Sequence, residues 1–248
     1  MEENLVYTAP DRSPAERRRL GRATFRNLAL CTIDFLRIPL MSRAEIVALF
    51  DERGREHLDR ALARGKGVIL LTGHLGNWEL ACPFLAAFGY PMYAYAEDTA
   101  NRTDLFRTYE PYRGATGMTM IPLSQGALIG CRVLQQGSVL GLVCDRVIAG
   151  RGQVVDFCGG RRGLPIGPAV LARRSGATIL LSHFTLNPAG PRRYLAEIEP
   201  FVDLDCQRGD YRQLAQAIAD QLTRMVRDHP DQWFVFQPQW LTRDPRGS

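Results

Sequence analysis

Three short runs, GVILLT (67–72), SVLGLVC (138–144) and ATILLSHF (177–184), constrain this chain more than any other feature. Each is apolar almost throughout rather than alternating, as strands are when both faces of their sheet are covered. Stretches with helical spacing lie between and after them. Helices are predicted over 77–88, ended by Gly89, over 124–136, and over 167–175 with Pro168 in the first turn. Another is predicted over 211–229, where Leu214, Ile218, Leu222 and Met225 share one face. Shorter strands are predicted over 92–96, 118–121, 194–198 and 233–236. Strands alternating with helices argue for the α/β class, with a mainly parallel central sheet flanked by helices. Before Gly65 the pattern differs. Residues 1–13 read as a loose polar start, Ser13 and Pro14 as N-cap and N1, and helical spacing continues with breaks to about Arg64. Ser42 and Glu45 form a second capping-box candidate. No repeat or linker divides the chain. The expectation is one domain over 1–248, with a helical N-terminal subregion (1–64) and an α/β core (65–248).

At 46% hydrophobic and 23% charged residues, disordered and fibrous classes are excluded. The six cysteines show no CxxC and no zinc-ligand spacing, so no metal is expected. Several sit in apolar runs, as buried free thiols do, which suits a reducing compartment. The net charge is +5, and Lys66 is the single lysine. Arginine offers planar, bidentate donors for phosphate and carboxylate. Nucleic acid, a membrane surface and a phosphorylated small molecule are the candidate partners. No zinc finger, RRM or helix-turn-helix signature is present, so nucleic acid is the weakest of them. Met1–Leu20 is polar, without the apolar region of a signal peptide. No run reaches 18 apolar residues, so no transmembrane helix is expected. The nearest, Leu28–Met41, is interrupted by Asp34, Arg37 and Pro39. It reads either as a core helix or as one lying on a membrane, with Arg17, Arg18, Arg19 and Arg22 near the headgroups. The location expected is cytoplasmic, peripheral on the inner membrane face.

The sharpest local feature is GHLGNWE (73–79), directly after the GVILLT strand. Ligands of open α/β sheets gather at the carboxyl ends of strands, where His74 falls. Asn77 suits an N-cap, which puts Glu79 in the first helical turn. On one continuous helix, His74 and Glu79 would point about 140° apart. A bend at Gly76 lets them converge, so that Glu79 accepts the imidazole N–H and frees the other nitrogen as a base. The alternative is a His at a strand end and a Glu serving the helix dipole. Asp145 and Arg146 stand at the end of the SVLGLVC strand. Asp145 is a second candidate partner for His74, or holds Arg146. GGRRGLPIG (159–167) opens onto the Pro168 helix as an anion site or as a tight turn.

GHLGNWE preceded by GKGVILL resembles the HX4D/E motif of the bacterial lipid A biosynthesis acyltransferases, a family that includes phosphatidylinositol mannoside acyltransferases of actinobacteria. The likeness extends over almost the whole chain. It takes in SPAERRRLGRATFRNLALCTIDFLRIP, CDRVIAGRGQVVDFCGGRRGLPIGPAVLARRSGA and HPDQWFVFQPQW, in order. The resemblance implies a glycerolipid-acyltransferase-like fold and transfer of a fatty acyl group. The donor would be acyl-CoA or an acyl carrier protein, the acceptor a hydroxyl of a lipid or glycolipid. It implies no other cofactor, no metal, and no covalent enzyme intermediate; the chain has no G-x-S-x-G elbow. His74 matches the motif base and Glu79 its acid, with Asp145 as a further catalytic candidate. Arg146, Asn77, Arg113, Gly159, Arg162, Pro165 and Gly167 are the substrate-binding candidates. Arg102 and Arg107 stand with Arg113 as cations able to face an acceptor headgroup. Family members usually carry a further N-terminal spanning segment. This pattern starts inside theirs, which leaves peripheral attachment through Leu28–Met41 or a soluble acceptor as the expectations. QPQW (237–240) and the Asp145-Arg146 pair look closer to the mannoside branch. The alternatives are a transferase or thioesterase-like hydrolase acting on a soluble natural-product or carrier-bound acyl substrate, and an inactive carrier-binding module.

Overall fold

In the computed structural model, residues 1–98, 103–115, 117–148, 150, 152–201 and 210–241 are described. Seven strands form one sheet: β1 (Phe50–Arg53), β2 (Val68–Thr72), β3 (Met92–Ala96), β4 (Thr119–Pro122), β5 (Val139–Val143), β8 (Thr178–Leu186) and β9 (Tyr194–Pro200). Their order is β1-β9-β8-β2-β5-β3-β4. All pairings are parallel except β8 with β9. The mainly parallel α/β sheet expected from the sequence is therefore present.

Residues along β2 alternate between two cores. Val68 and Leu70 face one; Ile69 and Leu71 face the other. This double burial is why the strand reads as an unbroken apolar run. The first core is shared with α2 (Pro14–Arg37), α3 (Arg43–Ala48), α4 (Arg55–Leu62) and α5 (Trp78–Ala87). The second is shared with α7 (Ala127–Gln135), α8 (Gly167–Ser175) and α9 (Tyr211–Asp228). From β2 the chain crosses through α5 toward β3. From the adjacent β5 it crosses through α8 in the opposite direction to β8. The carboxyl ends of β2 and β5 thus flank the point where connections diverge, the place such sheets reserve for ligands.

Four expectations are corrected. Residues 1–13 are not a loose start: α1 (Glu2–Thr8) buries Asn4, Leu5, Tyr7 and Thr8. Tertiary contacts hold it, with Asn4 Nδ2 donating to Val235 O and Tyr7 stacking on Trp240 at 3.9 Å. The helical subregion contains a strand, β1, whose polar DER residues are tolerated at the sheet edge. The segment 233–236 makes no strand; it has one bridge, Leu75 to Trp233, and the bond from Phe234 N to His74 O at 2.8 Å. GGRRGLPIG is mostly hairpin: β6 (Gln153–Phe157) pairs antiparallel with β7 (Gly160–Leu164). The turn residues Cys158 and Gly159 both take positive φ, as a two-residue hairpin turn requires. The capping boxes at Ser13 and Ser42 form as expected. Five of the six cysteines are described, and all five are buried and free; Cys206 lies outside the described residues.

Candidate active site

His74 follows β2 by two residues, and its loop is pinned on both sides. Gly76 N donates to Gln232 O at 2.9 Å, and Asn77 N to Phe184 O at 2.7 Å. Gly76 has φ +59, and a Cβ there would stand 2.2 Å from Phe184 O. A side chain at Gly73 would come within 2.9 Å of an Asp145 carboxylate oxygen. These two glycines let β2 bring the His74 backbone against Asp145.

Asp145 is 0% exposed. Its Oδ1 lies 2.6 Å from His74 Nδ1. Its Oδ2 accepts from His74 N at 2.7 Å and from Trp233 Nε1 at 2.8 Å. Burial alone would raise the carboxyl pKa. The charge of His74 and the three donors outweigh it and bring it to about 2. An ionised carboxylate beside Nδ1 fixes the proton on that nitrogen and leaves Nε2 as the basic atom. The His74 ring stands edge-on to Trp78 at 5.1 Å and borders a cavity of about 1060 Å³.

Of the two candidate partners for His74, Glu79 and Asp145, this geometry pairs it with Asp145. Glu79 is held in a two-bond clasp by Arg113, with Nε to Oε2 at 2.8 Å and Nη2 to Oε1 at 2.5 Å. Burial opposes the Arg113 charge, but Glu79 overcomes it and raises the guanidinium pKa. Arg146 does not pair with Asp145; it reaches Glu97 at 3.3 Å. Both ion pairs, Glu79–Arg113 and Glu97–Arg146, border the cavity.

Pro165 and Gly167 also border the cavity, beside Arg113 and Arg146. Three substrate-binding candidates lie elsewhere. Asn77 is buried and does not cap α5 with its side chain; it donates to Cys31 O at 3.2 Å and Tyr194 Oη at 3.0 Å. Gly159 sits in the hairpin turn. Arg162 is 0% exposed, enclosed by aromatic rings. Arg102 and the Arg107 side chain lie outside the described residues. Leu80, Phe84 and Leu85 are core.

Much of the cavity wall is apolar: Leu70, Ala94, Met118, Met120, Gly141 and Leu171 contribute. Cys82 and Cys144 also face it. Burial pushes the Cys82 thiol up to about 12 and raises Cys144 further, so neither supplies a thiolate near neutral pH. Among the described residues, no cluster of His, Cys, Asp or Glu suits a metal ion. Trp233 is the site residue that sequence reasoning missed. Its segment reads as a strand, and nothing in the local pattern marks the indole N–H as a carboxylate donor.

The chain is 31% identical over 214 residues to a phosphatidylinositol mannoside acyltransferase of Mycobacterium tuberculosis, a match covering 84% of this chain and 66% of the relative. It is 29% identical over 228 residues to one of Mycolicibacterium smegmatis, covering 90% of this chain and 72% of that protein. The chain thus spans about two thirds of these relatives' length. Bacterial lipid A biosynthesis acyltransferases, as a family, match residues 1–242, which takes in the His74 loop, the Asp145 loop and Trp233 together. With so much of its length inside one family pattern, the chain belongs to the bacterial lipid A biosynthesis acyltransferase family.

Proposed function

We propose that this chain moves a fatty acyl group from a CoA or acyl-carrier-protein thioester to a hydroxyl of a lipid or glycolipid, with His74 as the general base. The observation that carries this reading is the His74–Asp145 pair at the edge of a large, mostly apolar cavity. In the proposed step, Nε2 takes the proton of the acceptor hydroxyl as its oxygen bonds to the thioester carbonyl carbon. The tetrahedral intermediate collapses, the C–S bond breaks, and the imidazolium returns the proton to the departing sulfur. Asp145 stabilises that imidazolium. Arg146, steadied by Glu97, is suited to the oxyanion or to a donor phosphate. Arg113 is held by Glu79 on the cavity wall, where it suits an anionic headgroup. The relatives' names point to a phosphatidylinositol mannoside as the acceptor class.

A membrane would supply such an acceptor, and α2 has a surface for one. Among the described residues, no helix is long and apolar enough to cross a membrane. Phe25, Ile33 and Leu36 nevertheless point outward from α2, and Leu40 follows at 85% exposure. Arg18, Arg19, Arg22 and Arg26 are exposed on the same helix, whereas Arg17 is buried and donates to Arg12 O. Phe25 stacks on Phe236, which borders the cavity with Leu28. This is the layout of a helix lying on an anionic lipid surface.

The test incubates the full chain with C12–C18 acyl-CoA and phosphatidylinositol mannoside in mixed micelles, read by mass spectrometry. A product heavier by one acyl group, absent with His74→Ala, is expected. Free fatty acid released equally with and without acceptor would overturn the transferase reading in favour of hydrolysis. Flotation with anionic liposomes at low salt tests the membrane contact, and absence of binding would remove it.

A further inference from the structure

Arg162 lies midway along β7 and is fully enclosed. Its guanidinium carbon stands 5.3 Å from the ring centres of Phe157 and Trp233, and 5.2 Å from that of Trp240. Nη2 donates to Gln239 Oε1 at 3.2 Å, while Nε and Nη1 meet no acceptor among the described residues. Enclosing a cation without a carboxylate clasp is costly, and a methionine would fill the same volume without that penalty. Packing alone gives no reason for the charge.

Trp233 links this cation to the site. One face of its indole receives the guanidinium, and its Nε1–H donates to Asp145 Oδ2 at 2.8 Å. Asp145 in turn holds His74 at 2.6 Å. A cation over an indole face is attracted by the ring electrons and polarises the N–H toward its acceptor. We propose that Arg162 is a positioning residue for the His74–Asp145 pair: its buried charge, acting through Trp233, balances Asp145 and keeps His74 available as a base. This rests on the reading of His74 as the base. The Arg162 and Asp145 charges sense one another, because burial lowers the guanidinium pKa and Asp145 opposes that fall.

The surrounding charges leave Asp145 as the group this balance acts on. Around Arg162 stand Asp145 from the loop after β5, Cys158 in the hairpin turn and Arg227 of α9 beyond it. Burial pushes the Cys158 thiol up to about 12, so it is neutral. Tyr7 of α1 stacks on the outer ring, Trp240. Asp156 and Arg161 of the hairpin are exposed and pair with each other at 3.9 Å. Around His74, the cavity presents the ion pairs Glu79–Arg113 and Glu97–Arg146.

The test compares the full chain with Arg162→Met and Arg162→Lys, using nitrogen-15 spectra of the four histidines. Removing the cation leaves Asp145 to draw a proton onto the ring. The imidazolium-to-imidazole ratio of His74 at fixed pH is expected to rise about tenfold in Arg162→Met. The acid limb of kcat/KM moves to higher pH with it, and Arg162→Lys restores most of both. The spectra need no substrate, so this result stands apart from success or failure of the transferase assay. An unchanged imidazolium fraction in folded Arg162→Met overturns the proposal, and so does a shift that lysine fails to reverse. Should Arg162→Met not fold, Trp233→Phe keeps an aromatic ring and removes the N–H. The same upward change is expected there, and its absence overturns the link.

Discussion

Replacing Asp145 with asparagine removes one charge and almost no volume. In the parent, one carboxylate oxygen accepts from His74 N at 2.7 Å and Trp233 Nε1 at 2.8 Å, while the other meets His74 Nδ1 at 2.6 Å. A carboxamide has one accepting oxygen. If it keeps the first two donors, its NH2 faces Nδ1, and the ring proton must move to Nε2. The base is then in the wrong tautomer. If the amide flips, its NH2 meets two N–H donors. Either arrangement costs kcat about 10²–10⁴-fold, the range of a lost general base. The fold loses charge-assisted bonds of about 1.5–3 kcal/mol but no longer encloses a charge, so Tm falls by only a few degrees. Acid stability changes in a defined direction. The folded pKa of Asp145, about 2, lies below the reference 3.8. Its contribution, about 2 kcal/mol, is therefore present above about pH 4 and lost as pH falls toward 2. The Asp145→Asn variant lacks that dependence, so its melting temperature falls less steeply across the window. Acyl-transfer kinetics and melts from pH 2 to pH 7 read both effects. A folded variant retaining kcat/KM within about threefold of the parent would refute the reasoning.

Three further outcomes follow from the geometry. Glu79→Gln loses the charge of a half-buried clasp on Arg113, so stability falls by about 1 kcal/mol and KM rises, while the acid limb of the rate profile stays in place. An acid limb that moved would return Glu79 to the imidazole. Gly76→Ala sets a Cβ 2.2 Å from Phe184 O at φ +59 and is expected to destabilise by at least about 2 kcal/mol in urea unfolding; an unchanged midpoint would mean the loop relaxes freely. Gly141→Leu builds into the cavity from a Cβ position 3.4 Å from Cys82 Sγ. Competition between C12 and C18 acyl-CoA should then shift toward C12, and an unchanged preference would place the acyl chain elsewhere.

The sequence made some parts of the site legible and hid others. The β2 strand and the α5 helix after it follow from local chemistry: an apolar run, then Gly, Asn and a largely apolar stretch ended by Gly89. His74 at a strand end is visible for the same reason. Its partner is less so. Asp145 is 71 residues away, and the two meet because β5 pairs beside β2 in register, Thr72 opposite Val143. The carboxylate five residues along the chain was the nearer candidate, yet α5 turns Glu79 toward Arg113 on α6 (Thr103–Gly114). Asn77 sits at the helix start as read, but long-range partners outcompeted the local cap. Arg162 reads in sequence as a substrate-binding candidate. Period-two alternation in β7 sets it with Gly160 and Leu164, both buried, and that signal becomes readable once the hairpin is known.

Helix α2 carries much of its apolar surface outward, and its inward face is partly polar. Asn27 donates to Asp231 O and Oδ2, both at 3.1 Å. Asp34 accepts from Tyr194 Oη at 2.6 Å and pairs with Arg193 at 2.7 Å, while the Cys31 carbonyl accepts from Asn77 at 3.2 Å. Apolar contact tolerates sliding and rotation; directional bonds of this kind do not. A slip of one residue along α2 would break all of these contacts together and leave buried polar groups without partners. The helix is therefore a fixed mount with one angle and one register. Whatever plane its outer face rests on, the opening beside Leu28 and Phe236, and with it His74, takes a set height and tilt above that plane.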